Sequence, residues 1–332
     1  MGSPPPVDPR ILRTHAGNLE LLGYRIESVG YVSAGAALRT GVFGDLCAPM
    51  ASLIEDRHRD QDQLTGRFPE NLEIATHKLH RMADGKRNGN RDRRPDYWAS
   101  TGRGKNRKVT GNGTGSRPGR AGDFDALVAK FRERTWIDDR LAPRGDGAAR
   151  GPAAPMRSRG DVNPAAPLAD SFRSLIDRME VDREAAAAAA RRWALIAAEL
   201  REIAADLEWS LEADLKGWSG PDHLAYQELM AHNVNGIAAV AATAAMLGHA
   251  VEGVAGAVGS TREAVSGLAD RLASAGLEAV PWSVQRILGL YRAAFRIWAL
   301  VLGYVRALAR SMAHLRTMLG VRQPGARVAQ GP

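Results

Sequence analysis

The chain has 332 residues with 45% apolar side chains, 35 Gly and 17 Pro, which leaves room for two or three domains and much irregular chain. Its single cysteine, Cys47, excludes an intramolecular disulfide. Runs of β-branched or aromatic residues with period two are missing from the sequence, so we predict an all-α protein.

The net charge of +8 is the sum of segments with opposite signs. Residues 85–120 carry +9 and residues 281–332 carry +8, whereas residues 166–280 carry −8. Two basic segments therefore flank an acidic one. We expect these parts to dock on one another, or the basic ones to be attracted to an anionic surface.

Residues 1–84 are predicted to form an antiparallel hairpin of two helices. Asp8 and Pro9 are a favourable helix start, as N-cap and first helical residue. A second start follows at Pro49, and Pro69 is expected to break or kink the second helix. The residues predicted to face inward are Leu12, Leu19, Leu22, Ile26 and Val29 in the first helix and Leu53, Ile54, Leu64, Phe68, Leu72, Ala75, Leu79 and Met82 in the second.

Two short motifs of this hairpin are Val7-Asp8-Pro9 at its start and Phe43-Gly44-Asp45-Leu46-Cys47 between its helices. With them, residues 7–84 resemble the EspC-like family of ESX secretion-associated proteins. The resemblance implies a hairpin turn formed by Phe43, Gly44, Leu46 and Cys47. The Tyr-x-x-x-Asp/Glu export signal usual in such substrates is missing, and the nearest candidate signal is His80-x-x-x-Asp84.

Residues 85–165 are predicted to be a basic linker rich in Gly, Arg and Pro. Tyr97 and Trp98 lie among its cations and would stack on bases, but a solvated tether is the favoured interpretation, and nucleic acid is not expected as a partner. One short helix is predicted near residues 122–133. Its apolar residues, and those that follow and are expected to dock on a larger body, are Phe124, Leu127, Val128, Phe131, Trp136, Ile137 and Leu141.

Residues 166–276 are predicted to form a second antiparallel hairpin, with helices of about 50 residues each. Gly217 and Gly220 permit backbone angles that a helix does not hold, and Pro221 suits the first turn of the next helix. Trp218 lies at the bend, where its indole would close the groove between the helices. The predicted inward residues are Trp193, Ile196, Leu200, Ile203, Leu207, Leu211 and Leu215, then Val234, Ile237, Ala241, Ala244, Leu247, Val251, Val254, Val258, Val265, Leu268 and Leu272.

Trp218-Ser219-Gly220 between two long alanine-rich helices resembles the WXG family of helical hairpins exported by type VII (ESX) secretion in actinobacteria. Members of that family pair as hairpin dimers, which form four-helix bundles. The resemblance implies that residues 7–84 and 166–276 pair in an intramolecular four-helix bundle, or that they bind a secretion partner or a second copy. The alternative is an ordinary helical hairpin with an aromatic plug, in which Trp218 and Gly220 would look the same.

Residues 277–332 are predicted to hold a basic amphipathic helix from Pro281 to about Leu319. Its apolar side is expected to pack on the bundle, and the alternative is that the helix lies on an anionic membrane surface. The residues assigned to that membrane face are Arg292, Arg296, Arg306, Arg310 and Trp298. The apolar side comprises Leu290, Ile297, Val301, Tyr304, Leu308, Met312, Leu315 and Leu319.

No membrane-spanning helix is expected from the apolar runs of the sequence. The run at residues 297–305 is shorter than the roughly 20 residues that a span requires. Residues 236–251 are apolar but mostly Ala and Gly, with Asn235, His249 and Glu252 in or beside them.

No catalytic, cofactor or metal site is predicted from the polar residues. His77-Lys78-Leu79-His80 lacks the spacing and carboxylate of a zinc helix. Gly102-Arg103-Gly104-Lys105 is followed by Asn106 and has no preceding strand, so it is not a phosphate-binding loop.

The two resemblances imply a type VII secretion-associated protein that acts through helical contacts, as an exported substrate or as a secretion partner, with the ESX machinery as a further partner, and the lack of catalytic motifs predicts that it is not an enzyme. Met1 to Asp8 form no signal peptide, so the protein is expected to be cytoplasmic before export and then secreted or bound to the cell envelope. The alternatives are a membrane-surface or pore-associated effector acting through the C-terminal helix, or the delivery domain of a toxin without its catalytic part.

Overall fold

The computed structural model of the protein describes residues 8–39, 41–84, 121–141, 166–275 and 284–319. Within these ranges the regular structure is helical, so the predicted all-α class is confirmed. The predicted linker segments 85–120 and 142–165 lie outside the described residues. The helices are α1 (Pro9–Ala34), α2 (Ala48–Thr65), α3 (Arg67–Ala83), α4 (Ala121–Arg132), α5 (Ala166–Asp177), α6 (Arg183–Ala213), α7 (Pro221–Ala275) and α8 (Val284–Met318).

The predicted start of α1 is confirmed. Asp8 is its N-cap, and the Asp8 carboxylate accepts a hydrogen bond from the backbone N–H of Arg10 at 2.9 Å. Pro9 occupies the first helical position, where a missing N–H has no intrahelical partner to lose. All five predicted apolar residues of this helix are buried.

The break in the second helix does not occur at Pro69. The chain leaves the helix at Gly66, and Pro69 lies in the first turn of α3, where proline removes no helical hydrogen bond. The predicted inward orientation was wrong for two residues. Leu64 is 47% exposed, and Met82 is half-buried. Leu64 lies beside the break at Gly66, which changes the direction of its side chain, whereas Met82 lies in the last turn of α3 beside the buried Ala83.

The predicted helix before Trp218 is divided into α5 and α6 by an interruption at residues 178–182. Asp182 caps α6, because its carboxylate accepts a hydrogen bond from the backbone N–H of Ala185 at 2.8 Å. The second helix of the pair, α7, runs without interruption for 55 residues. The inward face predicted for α7 is buried except at Val234, which is half-buried.

The described chain divides into two compact units. Unit 1 comprises the described residues within 1–37, 58–132 and 191–248, and unit 2 those within 38–57, 133–190 and 249–332. Both predicted hairpins contribute residues to each unit.

In unit 1, side chains from α1 contact α6 in an order that makes the two helices antiparallel. His15 and Asn18 bind Asp214, at the end of α6, whereas Arg25 binds Glu199, further toward its start. The helices α1 and α3 are packed together, with the Thr76 hydroxyl 3.5 Å from the Ala16 carbonyl oxygen. The first predicted hairpin and the second are thus in contact within one chain.

The helices α3 and α7 are also antiparallel in unit 1. The Asn71 side-chain amide donates to the Asn233 Oδ1 at 3.3 Å, and the Phe68 ring lies against Gly236. A Cβ on Gly236 would approach the Phe68 ring to 2.9 Å, so this glycine permits the close contact of the two helices. Because α1 is antiparallel to α6 and α3 to α7, the order of contacts is that of two hairpins laid side by side.

In unit 2, the segment after α4 is fixed to α7 and α8. The Trp136 ring lies over Gly253, where a Cβ would overlap the ring. The backbone N–H of Asp138 donates to the Ser311 hydroxyl at 2.9 Å, and Arg310 binds the Asp138 carboxylate at 2.7 Å. Trp136 and Leu141 are buried, in agreement with the prediction that they dock on a larger body.

One helix within the described ranges, over Pro221–Leu272, is long and apolar enough to cross a membrane by length and composition alone. More than half of its most apolar window, 56%, is buried inside the protein. A buried core helix passes the same test.

Candidate interaction site at the two motif turns

The turn around Trp218 has the backbone that its glycines predict. Gly217 and Gly220 have φ angles of +92° and +109°, which side-chain-bearing residues rarely adopt. Ser219 between them is exposed. The Trp218 N–H donates to the Leu215 carbonyl at 3.1 Å, and Pro221 begins α7.

The Trp218 indole is buried at this turn and only 6% exposed. It contacts two rings from the start of α7, with centroid distances of 5.1 Å to His223 and 5.4 Å to Tyr226. The prediction that the indole closes the bend is consistent with this geometry. An aromatic plug of this kind fixes the angle at which the chain enters α7.

Directly beside this plug lies a buried polar network that sequence reasoning did not predict. His15 Nδ1 is 3.0 Å from Asp214 Oδ2, and His15 Nε2 is 2.7 Å from the Tyr226 hydroxyl. Asn18 also donates to Asp214 Oδ2, at 2.7 Å. The neutral imidazole with its proton on Nδ1 satisfies every partner, because Nε2 then accepts from Tyr226.

Burial lowers the pKa of His15 below its ordinary value of 6.5, against the opposing effect of Asp214. Burial also raises the pKa of Tyr226 well above its ordinary value, and the Asp214 carboxylate adds to that increase. The network therefore holds its phenol protonated and its imidazole neutral. It joins the N-terminal hairpin to both ends of the Trp218 turn.

We expect acidification to destabilise unit 1 through His15. Because the folded pKa is below the unfolded one, the unfolded chain binds a proton first, and stability is lost as the pH falls below about 6.5. The loss for one group is at most about 1.4 kcal/mol per pH unit. Melting temperatures at pH 7.5 and 5.5 should differ more in the wild type than in His15→Gln, and equal differences would contradict the assignment.

The second motif turn, residues 41–47, is fixed to the interruption between α5 and α6 in unit 2. The Leu46 N–H donates to the Arg178 carbonyl at 3.0 Å, and the Asp182 N–H donates to the Val42 carbonyl at 3.0 Å. Phe43 is fully buried and Leu46 half-buried. This turn of the first hairpin is therefore a contact to the second.

The contact between the 41–47 turn and residues 178–182 requires glycine at position 44. Its φ angle is +71°, and a Cβ would lie 2.7 Å from the carbonyl oxygens of both Arg178 and Glu180. Both neighbours are backbone atoms, so no side chain can rotate away to make space. Any larger residue must displace one of the two hairpins.

Cys47 is buried, and burial raises the pKa of its thiol to about 11. We predict that iodoacetamide at pH 8 labels Cys47 slowly in the native protein and rapidly in denaturant, because the thiolate is the reactive form and needs access. The rate of native labelling, followed by mass spectrometry, then measures opening of the 41–47 turn. Equal rates in both conditions would mean that the turn is open in solution.

The two residues of the candidate export signal, His80 and Asp84, have different partners in the structure. His80 Nε2 is 3.7 Å from a Glu20 carboxylate oxygen, whereas Asp84 ends α3 and pairs with Arg13 at 3.0 Å. Asp84 is exposed and His80 half-buried. Each residue therefore has its own contact to α1.

An exposed apolar face was not predicted and lies on the outer side of α1. Leu21 is 63%, Tyr24 66% and Tyr31 83% exposed, and their spacing places them on one side of the helix. On α6, Leu195 and Trp209 are similarly exposed. We call these five residues the α1/α6 face.

Arg25 lies between the two helices of this face. Its guanidinium is 2.8 Å from Glu199 and 3.7 Å from Glu202, and it also binds Asp206. One cation among three carboxylates leaves this part of the surface acidic. The sequence contained a signal for this acidic cluster, because the three carboxylates follow one another by three and four residues and so lie on one side of α6.

Across the described ranges, no group of three or more His, Cys, Asp or Glu side chains is arranged to hold a metal ion. In comparisons with known proteins, no protein family, no curated protein and no solved structure matches the chain. In unit 1 the Trp218 turn contacts α1, and apolar side chains of α1 and α6 are exposed. In unit 2 the 41–47 turn contacts residues 178–182.

Proposed function

We propose that this protein is a non-enzymatic type VII (ESX) secretion-associated protein, which acts through helical contacts as an exported substrate or as a secretion partner. Both motif turns that carry the family resemblance are parts of a contact between hairpins. The 41–47 turn binds residues 178–182, and the Trp218 turn binds His15 of α1.

The observation that carries the proposal is the use of both motifs for hairpin pairing. A chance Trp-x-Gly triplet has no reason to be buried at the junction of two hairpins with a polar network beside it. Here Trp218 is buried, Gly220 has a positive φ, and Tyr226 connects the turn to His15. These are the roles that hairpin motifs have in a protein whose activity is assembly.

The α1/α6 face supports the same proposal, because exposed apolar side chains on two neighbouring helices, with charged residues between them, are typical of a protein-binding site. Its exposed Tyr24, Tyr31 and Trp209 are residue types enriched at interfaces. The partner expected there is helical and carries basic residues opposite Glu202.

Export from an actinobacterial host tests the proposal. We expect the protein in the culture filtrate of a strain with an active ESX system and its loss from the filtrate when the ATPase of that system is deleted. As the control for cell lysis, a cytoplasmic marker protein should be absent from the culture filtrates of both strains. Presence in both filtrates, or retention of the protein in both cell pellets, would contradict an exported substrate.

A secretion partner that stays in the cell is tested by its contacts. Copurification with a helical ESX substrate should be lost in the double variant Tyr24→Ser with Tyr31→Ser, which changes exposed residues and leaves the fold intact. The matched control is Tyr291→Ser on α8, which is 52% exposed in unit 2. If neither export nor copurification occurs, the proposed function is wrong.

A further inference from the structure

The first half of α8 carries an exposed apolar stripe. Leu288, Tyr291, Phe295 and Trp298 are 51%, 52%, 73% and 43% exposed, and their spacing of three and four residues places them on one side of the helix. Trp298 also touches the buried Phe172, with ring centroids 5.5 Å apart. That contact anchors the stripe to unit 2.

This stripe differs from the apolar side predicted from the sequence. From Val301 onward, the predicted apolar residues Leu308, Met312 and Leu315 are buried, as packing on the protein requires. The exposed stripe is rotated away from them by roughly a quarter to a third of a turn. The helix therefore has one apolar side for the core and a second that is exposed in its first half.

Arginines lie beside the stripe with no acid on the same helix. Arg292 and Arg296 are exposed and follow Tyr291 and Phe295 by one residue each, so they project along one edge of the stripe. Residues 281–332 contain 8 Arg and neither Asp nor Glu. Among the side chains of α8 that the structure describes, Arg306 and Arg310 are also exposed, and Arg310 is paired with Asp138.

Aromatic and leucine side chains flanked by arginine have the chemistry of a surface that lies at an anionic lipid interface. The rings and Leu288 enter the boundary between headgroups and acyl chains, and the guanidinium groups bind lipid phosphate. A nucleic acid would pair with the arginines but leave Leu288 uncovered. A protein partner would need an apolar face that carries acidic residues opposite the arginines.

We propose that the first half of α8 binds anionic membrane surfaces through Leu288, Tyr291, Phe295 and Trp298, with Arg292 and Arg296 on the lipid phosphates. The helix lies in the plane of the interface and does not cross the bilayer. This inference is independent of the proposed secretion role, since a protein retained in the cell would also meet an anionic leaflet.

Vesicle flotation of the full chain tests it. The wild type should float with phosphatidylcholine vesicles that contain phosphatidylglycerol and should remain at the bottom with phosphatidylcholine alone. Tyr291→Ser with Phe295→Ser should lower the partition coefficient about tenfold or more, and Arg292→Gln with Arg296→Gln should lower it as well. Tyr24→Ser with Tyr31→Ser, which alters exposed tyrosines of unit 1, should not change it.

A local probe separates this surface from the basic segment at residues 85–120, which also attracts anionic lipid by charge. Ala299 is exposed on the same side of α8, so Ala299→Cys in a Cys47→Ala background accepts a bimane label there. Its emission should shift to the blue on anionic vesicles, whereas a label at Tyr24→Cys should not shift. No flotation, or flotation unchanged by both pairs of α8 substitutions with no shift at residue 299, would overturn the proposal.

Discussion

Gly44→Ala should destabilise the protein by about 3–4 kcal/mol. A positive φ costs an alanine about 1–2 kcal/mol, and the rest comes from displacement of the two carbonyls that a Cβ would meet at 2.7 Å. The Leu46–Arg178 hydrogen bond is expected to break with that displacement. Urea unfolding followed by circular dichroism measures the loss, and native labelling of Cys47 should become faster.

Gly41→Ala is the matched control for this prediction. Gly41 has a φ of +83°, but no atom lies within 4 Å of a Cβ built on it. Its cost should be limited to the backbone term of about 1–2 kcal/mol. Equal losses in the two variants would mean that the turn does not bind residues 178–182 as closely as described.

Trp218→Ala should cost about 3–5 kcal/mol, the usual range for removal of a buried aromatic ring. The loss removes the contacts with His223 and Tyr226 and exposes the His15 network beside them to water. Thermal and urea unfolding both report it. Because exposure to water brings the folded pKa of His15 closer to its ordinary value, we also expect a shallower loss of stability at low pH than in the wild type.

Trp209→Ala is the control, since Trp209 is the same residue type but 66% exposed on α6. It should change the free energy of unfolding by less than about 0.5 kcal/mol. If Trp218→Ala were as mild as Trp209→Ala, the Trp218 indole would be exposed in solution and its role would be recognition rather than packing.

Helix positions and inward faces were largely predictable, because they depend on local spacing. The five apolar residues of α1 and nearly all of those in α7 are buried, as their period of three and four indicates. The cap at Asp8 and the positive φ angles at Gly217 and Gly220 are also properties of short stretches of sequence. Such features need no knowledge of distant contacts.

The features that were missed depend on partners far away in the sequence. The interruption at residues 178–182 is held by backbone hydrogen bonds to Val42 and Leu46, more than 130 residues away. The role of His15 was missed because its partners Asp214 and Tyr226 are 199 and 211 residues away in the sequence. No local pattern encodes such pairs.

The break at Gly66 shows a conflict between two local signals. Proline predicts an interruption at its own position, but proline is well tolerated in a first helical turn. The chain therefore ends α2 at Thr65 and places Pro69 just inside α3. The presence of a break was predictable, and its position depended on which signal the packing favoured.

The exposed faces of α1 and α8 were the least predictable part of the candidate site. Tyr24 and Phe295 have the residue types of a core, and only the packed structure shows that another side of each helix faces the core. A large exposed apolar residue becomes informative when burial is known for its neighbours. For that reason the α1/α6 face was not predicted from the sequence.

The two predicted hairpins pair within one chain, and a short chemical crosslink tests this pairing most directly. Asn71 of α3 and Asn233 of α7 are hydrogen-bonded at 3.3 Å between their side chains in unit 1. In a Cys47→Ala background, a short bis-maleimide should link Asn71→Cys to Asn233→Cys within the monomer, seen as faster migration of a single-chain band in a denaturing gel. A link found only in covalent dimers, or no link although both thiols are labelled by a monofunctional maleimide, would contradict pairing within the chain.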